Sequence, residues 1–296
     1  QDPTNPIRAP QPQGFGAVYS SYRYIKLPLA AAWQVTPELA LGVALNGGWS
    51  SLSATPFGAA APDCSGPTTC FFPSVPEDSA FGYGLQAGLY WTPTPTWGFG
   101  LSYSTEQEFE EFEWHTTRAN PGRPDFGTAR TVEFQLNVPQ TLSAGIGFTP
   151  SERLSVGLDA RWIDYEGTEG FAGGFDPATG AVRGLGWDDI VVWAVGAEYR
   201  VGPSLALRGG WNRSESAVTP ESAFANVASP AMFEDHLTLG LGVRLYDQLE
   251  LNLAAYRAFE NEVRGQFLSP AGPVPGTSVV NRMSVDSAVL TLRFVF

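Results

Sequence analysis

The chain has 296 residues, of which 43% are hydrophobic and 13% aromatic but only 16% charged. That charged share is below the roughly 25% of soluble domains, although a mean hydropathy of -0.08 resembles that of a water-soluble protein. A net charge of -13 with Lys26 as the single lysine argues against nucleic acid or anionic lipid as an electrostatic partner. No run approaches the roughly 20 apolar residues of a membrane helix, which excludes helical spans. Strands with lipid on one face and an aqueous lumen on the other reconcile these facts, because only every second residue must be apolar.

In chain order, residues 1–20 come first. The stretch Gln1 to Pro12 carries four prolines and is a poor ladder strand, so 1–20 reads as a Pro-rich linker, a luminal segment or a junction. No charged-then-apolar leader opens the sequence, and an export signal is expected to lie outside it. From 21 to 296, alternating segments recur at about 21–34, 38–53, 80–92, 97–115, 130–148, 153–166, 187–200, 204–216, 233–245, 249–264 and 284–296. Most exceed the five or six residues of an average soluble strand and suit a tilted crossing of about nine to eleven.

The connections come in two alternating kinds. Short turns occur at Val35–Glu38, Thr92–Thr96, Thr149–Glu152, Val201–Pro203 and Tyr246–Gln248, and long polar loops at about 54–79, 116–129, 167–186, 217–232 and 265–282. Small periplasmic turns and large external loops produce that order, and a soluble sandwich has no reason to obey it. Outward positions are apolar in register, as in Leu39, Leu41, Val43 and Leu45 or Leu237, Leu239, Leu241, Val243 and Leu245, while Gly82, Gly84, Gly88, Gly240 and Gly242 fall on the inward set. The final ten residues alternate and stop on an aromatic, so Phe296, Phe294 and Leu292 are read as the membrane-insertion signal.

The expected fold is therefore all-β: a transmembrane antiparallel β-barrel of 12 to 14 strands in the bacterial outer membrane. Eleven strands are read directly; the remainder are a crossing within 14–20 or strands missing from the sequence, because exported single-chain barrels normally have an even count.

Cys64 and Cys70 sit in a Gly/Pro/Thr-rich stretch with no histidine nearby. A disulfide stapling a loop is expected, with a pair of free thiols as the alternative. No metal or cofactor is expected, and no enzymatic activity: His115 and His236 are the only histidines, and no nucleophile elbow, paired-histidine motif or phosphate loop appears. The acidic runs Asp188-Asp189 and Glu106–Glu113 read as solvated surface rather than acid–base pairs.

Parity places Lys26, Asp159, Arg161, Glu198, Arg208, Arg244 and Arg293 on the lumen face, since a charge on the lipid face costs about 2–4 kcal/mol near the midplane. Lys26 and Arg161 fall nearest mid-height and are the candidate ligands for a carboxylate head group, with Asp159, Glu198 and Arg208 as further lumen candidates. Simple pairing among neighbours to fill the lumen is the competing expectation for Arg161 and Asp159.

Three stretches carry a family resemblance. Phe134-Gln-Leu-Asn-Val-Pro-Gln-Thr-Leu-Ser-Ala-Gly-Ile-Gly-Phe148 resembles the strand with an embedded proline of the OmpP1/FadL/TodX outer-membrane transporters. Trp187–Arg200 followed by Leu205–Ser216 is similar to that family's consecutive strand pair. So is the Thr-Pro turn leading into Leu-x-(Leu/Val)-Gly at 36–42 and, with two extra residues, at 149–157. The resemblance covers about 21–296. It implies passive uptake of hydrophobic compounds such as long-chain fatty acids, with outer-membrane lipid and hydrophobic small molecules as partners. Family members are fourteen-stranded barrels with an N-terminal hatch, and neither the hatch nor the first three strands has a counterpart here. A structural or assembly barrel, plugged or completed by a partner protein chain, is accordingly the alternative function.

Overall fold

The computed structural model describes residues 18–65, 70–174, 176, 178–246, 248–269 and 272–294, and no described residue is helical. Eleven strands follow one another in a single antiparallel path. They are β1 (Tyr19–Thr36), β2 (Leu39–Thr55), β3 (Val75–Thr94), β4 (Trp97–Ser104), β5 (Thr141–Ser151), β6 (Leu154–Ile163), β7 (Ile190–Gly202), β8 (Leu205–Ser214), β9 (Asp235–Tyr246), β10 (Leu249–Gly265) and β11 (Val279–Phe294). Each corresponds to one of the alternating segments of the sequence. The short turns all fall at one end of this wall and the long connections at the other.

Alternation sets which side each residue faces. Leu27 and Leu29 are 73% and 77% exposed, and Phe81, Tyr83, Leu239 and Leu290 likewise project outward. A continuous belt of this kind is unstable in water and stable only against hydrocarbon. At the short-turn end, Trp97 packs on Phe148 at 4.5 Å and Trp91 on Phe99 at 5.4 Å, as aromatics do at a membrane interface. The inward face of β2 pairs Lys26 with Gly48 and Gly42 with Gly88 across the ladder.

The fourth and fifth segments depart from the simple reading. Their ladder is regular as far as Ser104↔Thr141 and resumes at Phe112↔Phe134, with one bridge between Gln107 and Val138. Pro139 lacks a backbone donor here, and side chains replace the missing ladder bonds. Asn137 Oδ1 accepts from the Phe109 amide at 2.9 Å, Gln135 Nε2 donates to the Phe109 carbonyl at 2.9 Å, and Asn137 Nδ2 donates to Glu106 Oε1 at 2.7 Å. The ladder is interrupted at this repair, a kink beyond which Phe112, Trp114 and Val132 of the hairpin pack into a buried core.

Above the wall, the external connections turn inward and form a dry core around Phe57, Phe112, Trp114, Val132, Leu136 and Phe171. Asp63 anchors it: its fully buried carboxylate accepts from Arg118 at 2.8 Å and Arg130 at 3.4 Å. Burial pushes the Arg130 guanidinium below its ordinary pKa, against the raising effect of Asp63. Cys64 stands opposite Cys70 in a two-residue ladder and is disulfide-bonded.

Among the described residues β1 pairs only with β2 and β11 only with β10. Leu292 and Phe294 of the expected insertion signal are exposed on β11, while Phe296 of that signal and the expected strands beyond eleven lie outside the described residues. So do residues 14–17; Tyr19 and Ser20, at the end of the expected N-terminal segment, already belong to β1 opposite Thr55 and Ala54.

Candidate functional site: an apolar cavity at the outer end of the lumen

Where the inward-folded connections meet the wall they form a partly open cavity of about 590 Å³. Tyr22 and Tyr24 of β1, Leu52 of β2 and Met283 of β11 supply the wall side, and the kinked hairpin contributes Phe134, Leu136 and Pro139. The connection after β6 brings Tyr165, Phe171 and Trp187, and the connection after β8 brings Phe224 and Phe233. None of the lining residues is Asp, Glu, Lys, Arg or His.

Packing holds the aromatics in place. Tyr165, Phe171 and Trp187 form a triangle with ring centroids 5.0, 5.0 and 5.1 Å apart. Such tilted and edge-on pairs add about 0.5–1.5 kcal/mol each beyond their buried area. Trp187 Nε1 donates to Asn226 Oδ1 at 2.7 Å, and the Asn226 amide donates to the Leu185 carbonyl at 2.6 Å, so the triangle is tied to the neighbouring loop. Burial raises the Tyr165 phenol above its ordinary pKa and keeps it a neutral hydroxyl.

Phe109 packs edge-on against the cavity residue Tyr24, with ring centroids 6.0 Å apart. Phe109 lies across Gly48 and Gly82: a Cβ at Gly48 would stand 2.5 Å from Phe109 Cζ, and one at Gly82 would stand 2.6 Å from the Glu108 carbonyl. Gln107 covers Gly84 in the same way and is hydrogen-bonded to the Tyr24 hydroxyl. Glycine is needed at these positions because two layers of chain occupy the space a side chain would take.

The lumen residues singled out in the sequence do not line this cavity. Glu198 and Arg208 pair at 2.7 Å, Glu198 also holds Arg200 at 2.9 Å, and Arg208 donates to Asn252 at 2.8 Å. Asp159 extends over Gly145. Arg161 donates from Nε to Ser143 Oγ at 3.1 Å, and Lys26 projects into the lumen opposite Gly48. Among the described residues neither Lys26 nor Arg161 forms an ion pair. The cavity residues carry no shared pattern in the sequence, because some belong to wall strands and others to polar, Gly/Pro-rich connections; the signal in those connections is their aromatics, Phe57, Phe171 and Phe224.

The family model described as outer membrane protein transport protein (OMPP1/FadL/TodX) matches residues 9–293. The chain belongs to this family of outer-membrane transport proteins. Its fold is that of several solved relatives. The toluene transporter TbuX of Ralstonia pickettii is 16% identical, with 94% of this chain and 69% of that one covered at a TM-score of 0.63. A FadL homologue of Pseudomonas aeruginosa is 17% identical, with 92% and 67% covered at 0.67. The toluene transporter TodX of Pseudomonas putida is 14% identical, with 94% and 70% covered at 0.61. No curated protein matches the chain by sequence. As a member of the family the chain is an outer-membrane β-barrel, and the outward apolar belt is the part of its surface built for the membrane.

Proposed function

We propose that this barrel admits small, neutral, hydrophobic molecules across the outer membrane by passive diffusion, with the aromatic cavity as their first binding site and membrane lipid covering the outward belt. The observation that carries the proposal is a cavity of about 590 Å³ that, among the described residues, has no Asp, Glu, Lys, Arg or His on its lining, within the size range of small-molecule sites. Two of the similar structures are of toluene transporters. A ring compound burying about 150–250 Å² there gains roughly 4–6 kcal/mol at about 25 cal/mol per Å². That corresponds to dissociation constants from roughly millimolar to tens of micromolar, loose enough for release without an energy source. Equilibrium binding of toluene to the purified, heat-modifiable barrel tests this: saturable binding weakened by Trp187→Ala is expected, and no saturable binding to intact barrel would overturn it. A purely structural role, with a partner chain seated on the barrel, predicts that second result.

That neither Lys26 nor Arg161 forms an ion pair among the described residues favours a second cargo, a long-chain carboxylate whose head group reaches past the cavity to these cations. On that reading Arg161→Ala weakens fatty-acid binding by about 1.5–3 kcal/mol, Lys26→Ala by less because an ammonium lacks the guanidinium fork, and toluene binding is unchanged in both. Fatty-acid binding insensitive to both substitutions refutes it.

A further inference from the structure

Resting on the cavity being the uptake site, we propose that it discriminates among aromatic compounds through two tyrosine hydroxyls and accepts neutral rings with one hydrogen-bonding substituent, such as phenols. Most polar side chains around the cavity are already engaged. Ser20 Oγ donates to the Ala228 carbonyl at 2.5 Å, Tyr24 is bonded to Gln107, Trp187 Nε1 donates to Asn226, and both ends of the Asn137 amide are used in the hairpin repair. The hydroxyls of Tyr22, Tyr165 and Ser229 differ: all three line the cavity and among the described residues none has a hydrogen-bond partner, and the two tyrosines carry theirs on a ring.

Their mountings fit the role. Tyr165 is clamped by its two aromatic neighbours at 5.0 Å each, so its hydroxyl is held in place without a polar contact. Tyr22 projects from β1 beside Tyr24, in register with Leu52, which also lines the cavity. A phenolic hydroxyl both donates and accepts, so either tyrosine can satisfy a cargo hydroxyl that would otherwise enter an apolar space at a cost. Charged cargo receives no such compensation, because the cavity offers no counter-ion.

The test uses two compounds that differ by one hydroxyl, toluene and 4-methylphenol, measured at equilibrium on the full chain purified in detergent. Water favours 4-methylphenol far more than toluene, so the informative quantity is the ratio of their dissociation constants, compared between the wild type and Tyr22→Phe, Tyr165→Phe and the double variant. Tyr→Phe keeps the ring, heat-modifiability of each variant reports an intact barrel, and taking the ratio within each variant cancels any general change in the cavity. Each substitution is expected to shift the ratio against 4-methylphenol by roughly two- to ten-fold, the scale of one neutral hydrogen bond, with the larger shift in the double variant. A ratio unchanged in all three variants while toluene still binds overturns the inference and leaves the uptake reading standing; failure of both compounds to bind wild-type barrel overturns the two together.

Discussion

Replacing Asp63 by asparagine should loosen the outer cap while leaving the barrel wall intact. The carboxylate is fully buried and accepts from Arg118 Nη1 at 2.8 Å, the Ala119 amide at 2.6 Å and Arg130 Nη1 at 3.4 Å. A hydrogen bond to a charged group contributes about 1.5–3 kcal/mol. The Arg118 side chain is 38% exposed, so its share is discounted toward the 0–1 kcal/mol of about any surface pair. Arg130 is only 10% exposed and dominates, because asparagine keeps an acceptor for the amide but leaves this guanidinium buried without a counter-charge. The expected loss is about 2–4 kcal/mol of local stability, or roughly a thirty- to thousand-fold faster amide exchange in peptides covering 56–64 and 118–130. Hydrogen exchange followed by mass spectrometry reads this directly, with β9 as the internal control. Unchanged exchange in the cap, or equal acceleration in the cap and in β9, would refute the assignment of Asp63 as a local anchor.

Other expectations are more localised. Leu239 is 59% exposed on the outward face, so Leu239→Arg should destabilise the barrel in lipid by about 2–4 kcal/mol if the site lies near the midplane, measured by reversible denaturation in bilayers; a neutral result would misplace the lipid belt. Gly48→Val must displace Phe109 and should cost about 1–3 kcal/mol, partly recovered by Phe109→Ala in a double-mutant cycle, and strict additivity would show that the two do not compete for space. Asp164, just beyond the outer end of β6, is held below the ordinary carboxylate pKa chiefly by the Gln140 amide, which donates at 2.5 Å. Because its folded value is depressed, its contribution is present above the unfolded carboxylate value and is lost as pH falls through the folded one. Protection of 164–187 against exchange should therefore drop at the acid end in the wild type, and Asp164→Asn should remove that acid limb.

How much was legible from sequence differs between wall and site, and the reason is the range of the interactions. Each wall strand is specified by its own residues: lipid outside and lumen inside impose a period of two, so Leu237, Leu239 and Leu241 declare their face without reference to any other part of the chain. Four of the five short turns declare themselves the same way, through proline or glycine. The embedded proline at 139 was visible too, but its consequence was not, because the kink depends on Asn137 finding the backbone of Phe109, which lies 28 residues away in sequence. The cavity was the least legible part. Tyr22, Phe57, Tyr165, Phe171 and Trp187 come from separate strands and connections, each unremarkable in a polar context, and they become a binding surface only when the paired strands bring those connections together at one end of the wall. Ion pairing was decided by the same convergence: parity alone placed Glu198, Arg208, Arg161 and Lys26 inside the barrel, but only the lateral register of β7 against β8 joined the first two, while Asp159 turns over Gly145 and Arg161 bonds to Ser143 instead of to each other.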